Sequence, residues 1–138
     1  MNPTNSNHKY KCILLIDDNE VDNFLIQRTI RTTQFAKNIY CCSGSKSAIE
    51  FLHNLDLVGD EATSLYPELI FVDINMPSID GFQFLEQIKK FEYSNVANCK
   101  LVVLTSSIYM EDRIKAESFF ENVVFLSKPL TEEMLRLL

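Results

Sequence analysis

Four apolar runs of this chain end in side chains that can do chemistry. Ile13-Leu14-Leu15-Ile16 ends in Asp17-Asp18, and Leu69-Ile70-Phe71-Val72 ends in Asp73. Leu101-Val102-Val103-Leu104 ends in Thr105, and Val123-Val124-Phe125-Leu126 leads through Ser127 to Lys128-Pro129. A buried strand that ends in an acid holds a nucleophile still. Side by side in a parallel sheet, these runs would bring an acidic cluster, a hydroxyl and an amine to one rim, the rim where open α/β sheets place their chemistry. Two carboxylates about 4 Å apart repel by roughly 4 kcal/mol at an effective dielectric near 20, so the cluster needs cations. Lys128 supplies one positive charge and a divalent metal two, which together balance Asp17, Asp18 and Asp73. Oxygen donors without His or Cys select Mg²⁺. A metal held by carboxylates beside a hydroxyl and an ammonium is equipment for phosphoryl transfer, where positioning and charge neutralisation dominate. Asp73 is then the candidate nucleophile, forming an aspartyl phosphate. Thr105 and Lys128 would each bind a phosphoryl oxygen, and the remaining acids would hold the metal.

The elements that must position these groups alternate along the chain. Residues 1–9 are polar and read as a disordered leader, with one domain over 10–138. Short apolar runs predict strands over 12–16, 39–42, 69–73, 101–104 and 123–126. Helical spacing predicts helices over about 20–32, 46–55, 81–91 and 110–119, and a last one capped by Thr131, in which Met134, Leu135 and Leu138 pack. Ser43-Gly44-Ser45 supplies the turn and N-cap of the second helix, which carries Ala48, Ile49 and Leu52 inward. Residues 56–67 read as a long surface loop, and residues 77–81 as a turn before Phe84, Leu85, Ile88 and Phe91 line one face of the third helix. In the first helix Val21, Phe24, Leu25 and Arg28 share one side, and Ile26 and Ile30 form a second stripe nearly opposite. Burial under a neighbouring loop or helix explains that second stripe better than a docking face does. The fourth helix is mostly charged, with Met110 and Ile114 to bury, and should be among the more weakly held elements. Alternating strands and helices with right-handed crossovers give an α/β fold, a doubly wound five-stranded parallel sheet of order 2-1-3-4-5, flavodoxin-like, with helices on both faces.

Composition narrows the function. The formal charge of -6 leaves no basic field for a nucleic-acid backbone, so direct DNA binding is disfavoured. No apolar stretch approaches the roughly 18 residues of a membrane helix and no signal peptide opens the chain, which predicts a soluble cytoplasmic protein. Cys12, Cys41, Cys42 and Cys99 lack CxxC spacing and neighbouring His residues, which disfavours zinc and suits buried thiols.

Taken in order, Asp17-Asp18, Asp73 with Met76-Pro77, Asp80-Gly81, Thr105 and Lys128-Pro129 resemble the motif set of the receiver domain of two-component response regulators, over nearly the whole chain after Lys9. The resemblance implies that Asp73 accepts a phosphoryl group from a sensor histidine kinase or histidine phosphotransfer protein. It also implies that Asp18 ligates Mg²⁺ directly with Asp17 assisting, that the Asn75 backbone carbonyl completes the protein ligands, and that the Lys128-Pro129 peptide is cis. Such domains signal when a hydroxyl residue moves toward the phosphate and an aromatic residue on the last strand turns inward. Thr105 matches the first and Phe125 the second. Many members have Tyr there, so a Phe125 switch must work by ring packing alone. Ser106 stands where a smaller Ala is frequent, and the last helix is short.

The resulting expectation is a stand-alone phosphoacceptor switch acting through a downstream protein target, with a phosphorylation-dependent homodimer left open as one output. The fourth helix, the last strand and the last helix form its expected changing face, with Ile26 and Ile30 near the kinase-docking side. One alternative is an aspartyl-phosphate hydrolase of haloacid-dehalogenase type. Those enzymes place a general acid two residues after the nucleophile, where this chain has Asn75, which cannot shuttle a proton. A degenerate receiver serving as scaffold is the other alternative, disfavoured by the intact Asp18, Asp73, Thr105 and Lys128.

Overall fold

The computed structural model describes residues 7–59, 65–74, 81–89, 99–106, 110–118 and 123–138. Strands β1 (Tyr10–Ile16), β2 (Ala36–Cys42), β3 (Leu69–Val72), β4 (Lys100–Thr105) and β5 (Val124–Ser127) alternate with helices α1 (Glu20–Thr32), α2 (Ser45–Val58), α3 (Gly81–Ile88), α4 (Met110–Glu117) and α5 (Glu132–Arg136). The strands form one parallel sheet of order β2-β1-β3-β4-β5, as the alternation predicts. Central strands buried on both faces need apolar side chains at every position, and β1, β3 and β4 have them almost throughout.

Successive residues of these strands feed two cores. Leu14, Ile16, Ile70, Val72 and Val103 pack with Ala48 and Leu52 of α2 and with Phe84, Leu85 and Ile88 of α3. Ile13, Leu15, Leu69, Phe71, Val102 and Leu104 pack on the other face with Ile26 and Ile30 of α1 and with Leu130, Leu135 and Leu138. The inward side of α1 is therefore the Ile26–Ile30 stripe, while Val21, Phe24 and Leu25 are exposed. Ile26 and Ile30 are buried as expected, but against the sheet rather than under a neighbouring loop or helix. The isoleucines are the core face of the helix and cannot offer a docking surface.

Several boundaries move for local reasons. β2 begins at Ala36 because its pairing with β1 runs down to Tyr10, and an edge strand accommodates the exposed Lys37 and Asn38. α2 runs on to Val58, so the expected loop starts later. In its last turn Leu55 still packs on the core while Leu57 and Val58 are exposed, and it stops at Gly59, whose φ of 77° suits glycine. The N-cap of α2 is Gly44, with no side-chain capping bond. Thr131 does cap α5, accepting from the Met134 N–H. That short helix is tied down at its end, where the Leu138 carbonyl accepts from the Tyr10 hydroxyl at 2.6 Å and from Lys100 Nζ at 3.1 Å. On α4, Ile114 is 61% exposed rather than buried. Phe91, the turn over 77–80 and most of the leader lie outside the described residues.

Candidate functional site

The ladders that build the sheet continue one residue past the strand ends and thereby set the site. The Asp17 N–H donates to the Cys42 carbonyl at 3.1 Å and the Asp73 N–H to the Ile16 carbonyl at 3.0 Å. The Lys128 N–H donates to the Thr105 carbonyl at 2.8 Å. Asp17, Asp73 and Thr105 are all buried although polar. Thr105 stands beside Ser127 in the β4–β5 register, and the peptide bond between Lys128 and Pro129 is cis.

Lys128 gathers the carboxylates. Its Nζ donates to Asp17 Oδ2 at 2.6 Å, to Asp22 Oδ2 at 2.7 Å and to Asp73 Oδ2 at 3.1 Å, so each of its three N–H groups has an acidic acceptor. Asp17 is further fixed by the Asn19 N–H on its Oδ1, at 2.9 Å, and by Asn23 Nδ2 on its carbonyl. Burial pushes the Asp17 carboxyl above its ordinary value, against the opposing pull of Lys128 and the Asn19 amide. Burial alone would lower the Lys128 ammonium, but hydrogen bonds to Asp17 and Asp22 and the charge of Asp73 hold it above its ordinary range. Asp18 is half-buried, and its carboxylate makes no hydrogen bond or ion pair among the described residues. Phe125, beside Val103 in the sheet, is half-buried against the α2–α3 core. Ser106 is exposed and lines a cleft of about 450 Å³ with Asp22, Leu25, Lys128 and Pro129.

The expected residues Asp17, Asp73, Thr105 and Lys128 thus meet on one rim, with Asp18 adjacent in the chain. Asn75 lies outside the described residues. Asp22 was missed in the sequence, where an acid in a helix's first turn is ordinarily explained by the helix dipole. The available signal was that α1 starts two residues after Asp18, so its first turn has to lie beside the same rim. As a metal site, the donor set fits a hard divalent cation: carboxylate oxygens only, four acids against one ammonium. No cluster of three or more His, Cys, Asp or Glu converges among the described residues, where Lys128 bridges the acids.

A rim of this composition, on a 2-1-3-4-5 parallel sheet, defines a phosphoryl-accepting signalling domain. The chain belongs to the response regulator receiver domain family, whose model matches residues 13–138. It is 31% identical over 124 residues to the probable methanogenesis regulatory protein FilR2 of Methanothrix harundinacea, covering 90% of this chain and 76% of that one. Response regulator Rcp1 of Synechocystis is 30% identical over 112 residues, covering 81% and 73%. A two-component response regulator from Cytophaga hutchinsonii superposes with a TM-score of 0.79 at 33% identity, covering 94% and 93% of the two chains. A Mn²⁺-bound form of response regulator Rcp1 superposes at 0.70 with 29% identity, covering 91% and 86%. The protein is a receiver domain of two-component signalling, a phosphoacceptor switch.

Proposed function

We propose that Asp73 is the phosphoacceptor, within a single domain spanning residues 10–138 behind a leader over residues 1–9. The observation that carries this reading is the position of the Asp73 carboxylate at the end of the central strand, 3.1 Å from Lys128 Nζ. The donor is a phosphohistidine of a sensor kinase or phosphotransfer protein. As an Asp73 oxygen bonds to phosphorus, the phosphorus–nitrogen bond breaks and the imidazole leaves with its electron pair. Lys128 donates to a phosphoryl oxygen, and the Thr105 hydroxyl donates to another as the state is read. Asp17, Asp18, Asp73 and the Asn75 carbonyl would hold Mg²⁺, which when bound neutralises charge on the transferring group; the fit of the oxygen donors and the Mn²⁺-bound form of Rcp1 support this assignment. Phe125 would follow Thr105 by repacking its ring. The domain acts in the cytoplasm, catalyses only its own phosphorylation and dephosphorylation, and passes its state to a protein target or a second copy of itself rather than to nucleic acid. The family assignment favours this switch over a hydrolase.

Incubation with Mg²⁺ and acetyl phosphate, followed by intact mass, tests the assignment. One phosphoryl should be gained by the wild type and none by Asp73→Asn. A gain that survives in the variant overturns it.

A further inference from the structure

We infer that Asp22 is a positioning residue that parks Lys128 in the resting state and is displaced by the phosphoryl group, a step that rests on Asp73 being the acceptor. A lysine has three N–H donors, and here all three are committed to carboxylates. For Lys128 to bind a phosphoryl oxygen on Asp73, one bond must be given up. Asp17 is a poor candidate: its side chain is 1% exposed, and its other oxygen and both its backbone groups are already bonded. Asp73 is the attachment point of the new group and stays. Asp22 is 35% exposed at the mouth of the cleft, so it can turn to water at little cost. Its carboxylate therefore competes with the phosphoryl oxygens for one ammonium, and the strength of that competition lowers the yield of the phosphorylated state.

The prediction separates parking from a merely structural role. Removing the charge by Asp22→Asn should tighten binding of trifluoroberyllate, a tetrahedral phosphoryl mimic, by about fivefold at saturating Mg²⁺. This is the scale of a partly exposed ion pair, about 1 kcal/mol. Loss of the phosphoryl group from Asp73 should slow by a similar factor. Asp22→Glu keeps the charge and should stay within about twofold of the wild type, and the gap between Asn and Asp should shrink as ionic strength rises from about 0.05 M to about 0.5 M. Glu20→Gln, in the same exposed turn, removes an equal charge without a bond to Lys128 and is the control for the general field. The half-saturating concentration is read from amide chemical shifts, beside a melting curve for each variant. Equal or weaker binding by Asp22→Asn overturns the proposal, as does an equal gain from Glu20→Gln. If the wild type gains phosphoryl at Asp73 while Asp22→Asn changes nothing, only the role of Asp22 falls. If the wild type gains none from acetyl phosphate, the acceptor assignment falls and takes this step with it.

Discussion

Helices α1 and α4 each follow a strand that ends in a site residue, yet they are fastened in opposite ways. α1 is capped by Asn19, whose side chain accepts from the Asp22 N–H, and it buries Ile26 and Ile30 completely against the sheet. Its first turn is also pinned to the rim through Asp22 and Asn23. The described side chains of α4 are exposed, and among them Lys115 reaches the body, its Nζ lying 4.4 Å from the centre of the Phe82 ring. Change is therefore cheaper at α4 than at α1. Reorganising α1 disturbs a core and the lysine–carboxylate rim together, whereas among the described side chains of α4 the contact given up is that of Lys115 with Phe82. On the proposed assignment, a switch that reports on Asp73 through α4 would alter its surface while the site itself stays built.

Truncation of the buried face is the largest test of that contrast. Ile30→Ala should cost about 3 kcal/mol, the range for a large-to-small change at a fully buried position. Ile114→Ala should fall within about 0.5 kcal/mol, as for exposed sites. Urea denaturation measures both. A loss at Ile114 as large as that at Ile30 would mean that α4 is anchored as firmly as α1.

A second test bears on the rim to which α1 is pinned. Because the folded environment raises the Asp17 carboxyl, the fold favours its protonated form. The favourable contribution of this group is complete below the unfolded value of about 3.9 and is lost as pH rises through the folded value. At neutral pH the ionised Asp17 therefore weakens the fold in a divalent-free buffer. Asp17→Asn keeps an oxygen for the Asn19 N–H and removes one of four acids. Its urea midpoint should exceed that of the wild type at pH 7, and the two should converge in acid. A variant less stable than the wild type at neutral pH would show that pairing with Lys128 outweighs burial.

Much of this organisation was legible in the letters. The strand order follows from five short apolar runs alternating with helices, and Asp17, Asp73 and Thr105, each directly after one of those runs, meet Lys128, which stands one residue further past the last. The orientation of α1 was not legible. Both Val21-Phe24-Leu25 and Ile26-Ile30 satisfy helical spacing, and spacing alone cannot say which stripe meets the sheet. The sheet face decides between them, and it takes Ile26 and Ile30. Asp22 was hidden for another reason. Its partner Lys128 lies 106 residues away, and a first-turn acid has a local explanation that makes no appeal to the fold.

The weakest attachment supplies the finest test. Lys115→Met keeps an apolar stem against Phe82 and removes only the charge, so the variant isolates the cation–ring attraction, which is worth about 0.5–1 kcal/mol at an accessible site. Global stability should hardly change, because opening α4 is a local event that need not expose either core. Native-state amide exchange resolves the effect: protection within α4 should fall by about threefold, the equivalent of about 0.7 kcal/mol at a factor of ten per 1.4 kcal/mol, while amides of α1 keep theirs. If α1 and α4 lose protection together, the two helices open as one unit and the contrast between them fails. If neither changes, α4 is held by something other than Lys115, and the Phe82 contact is incidental to how the surface of the switch is kept in place.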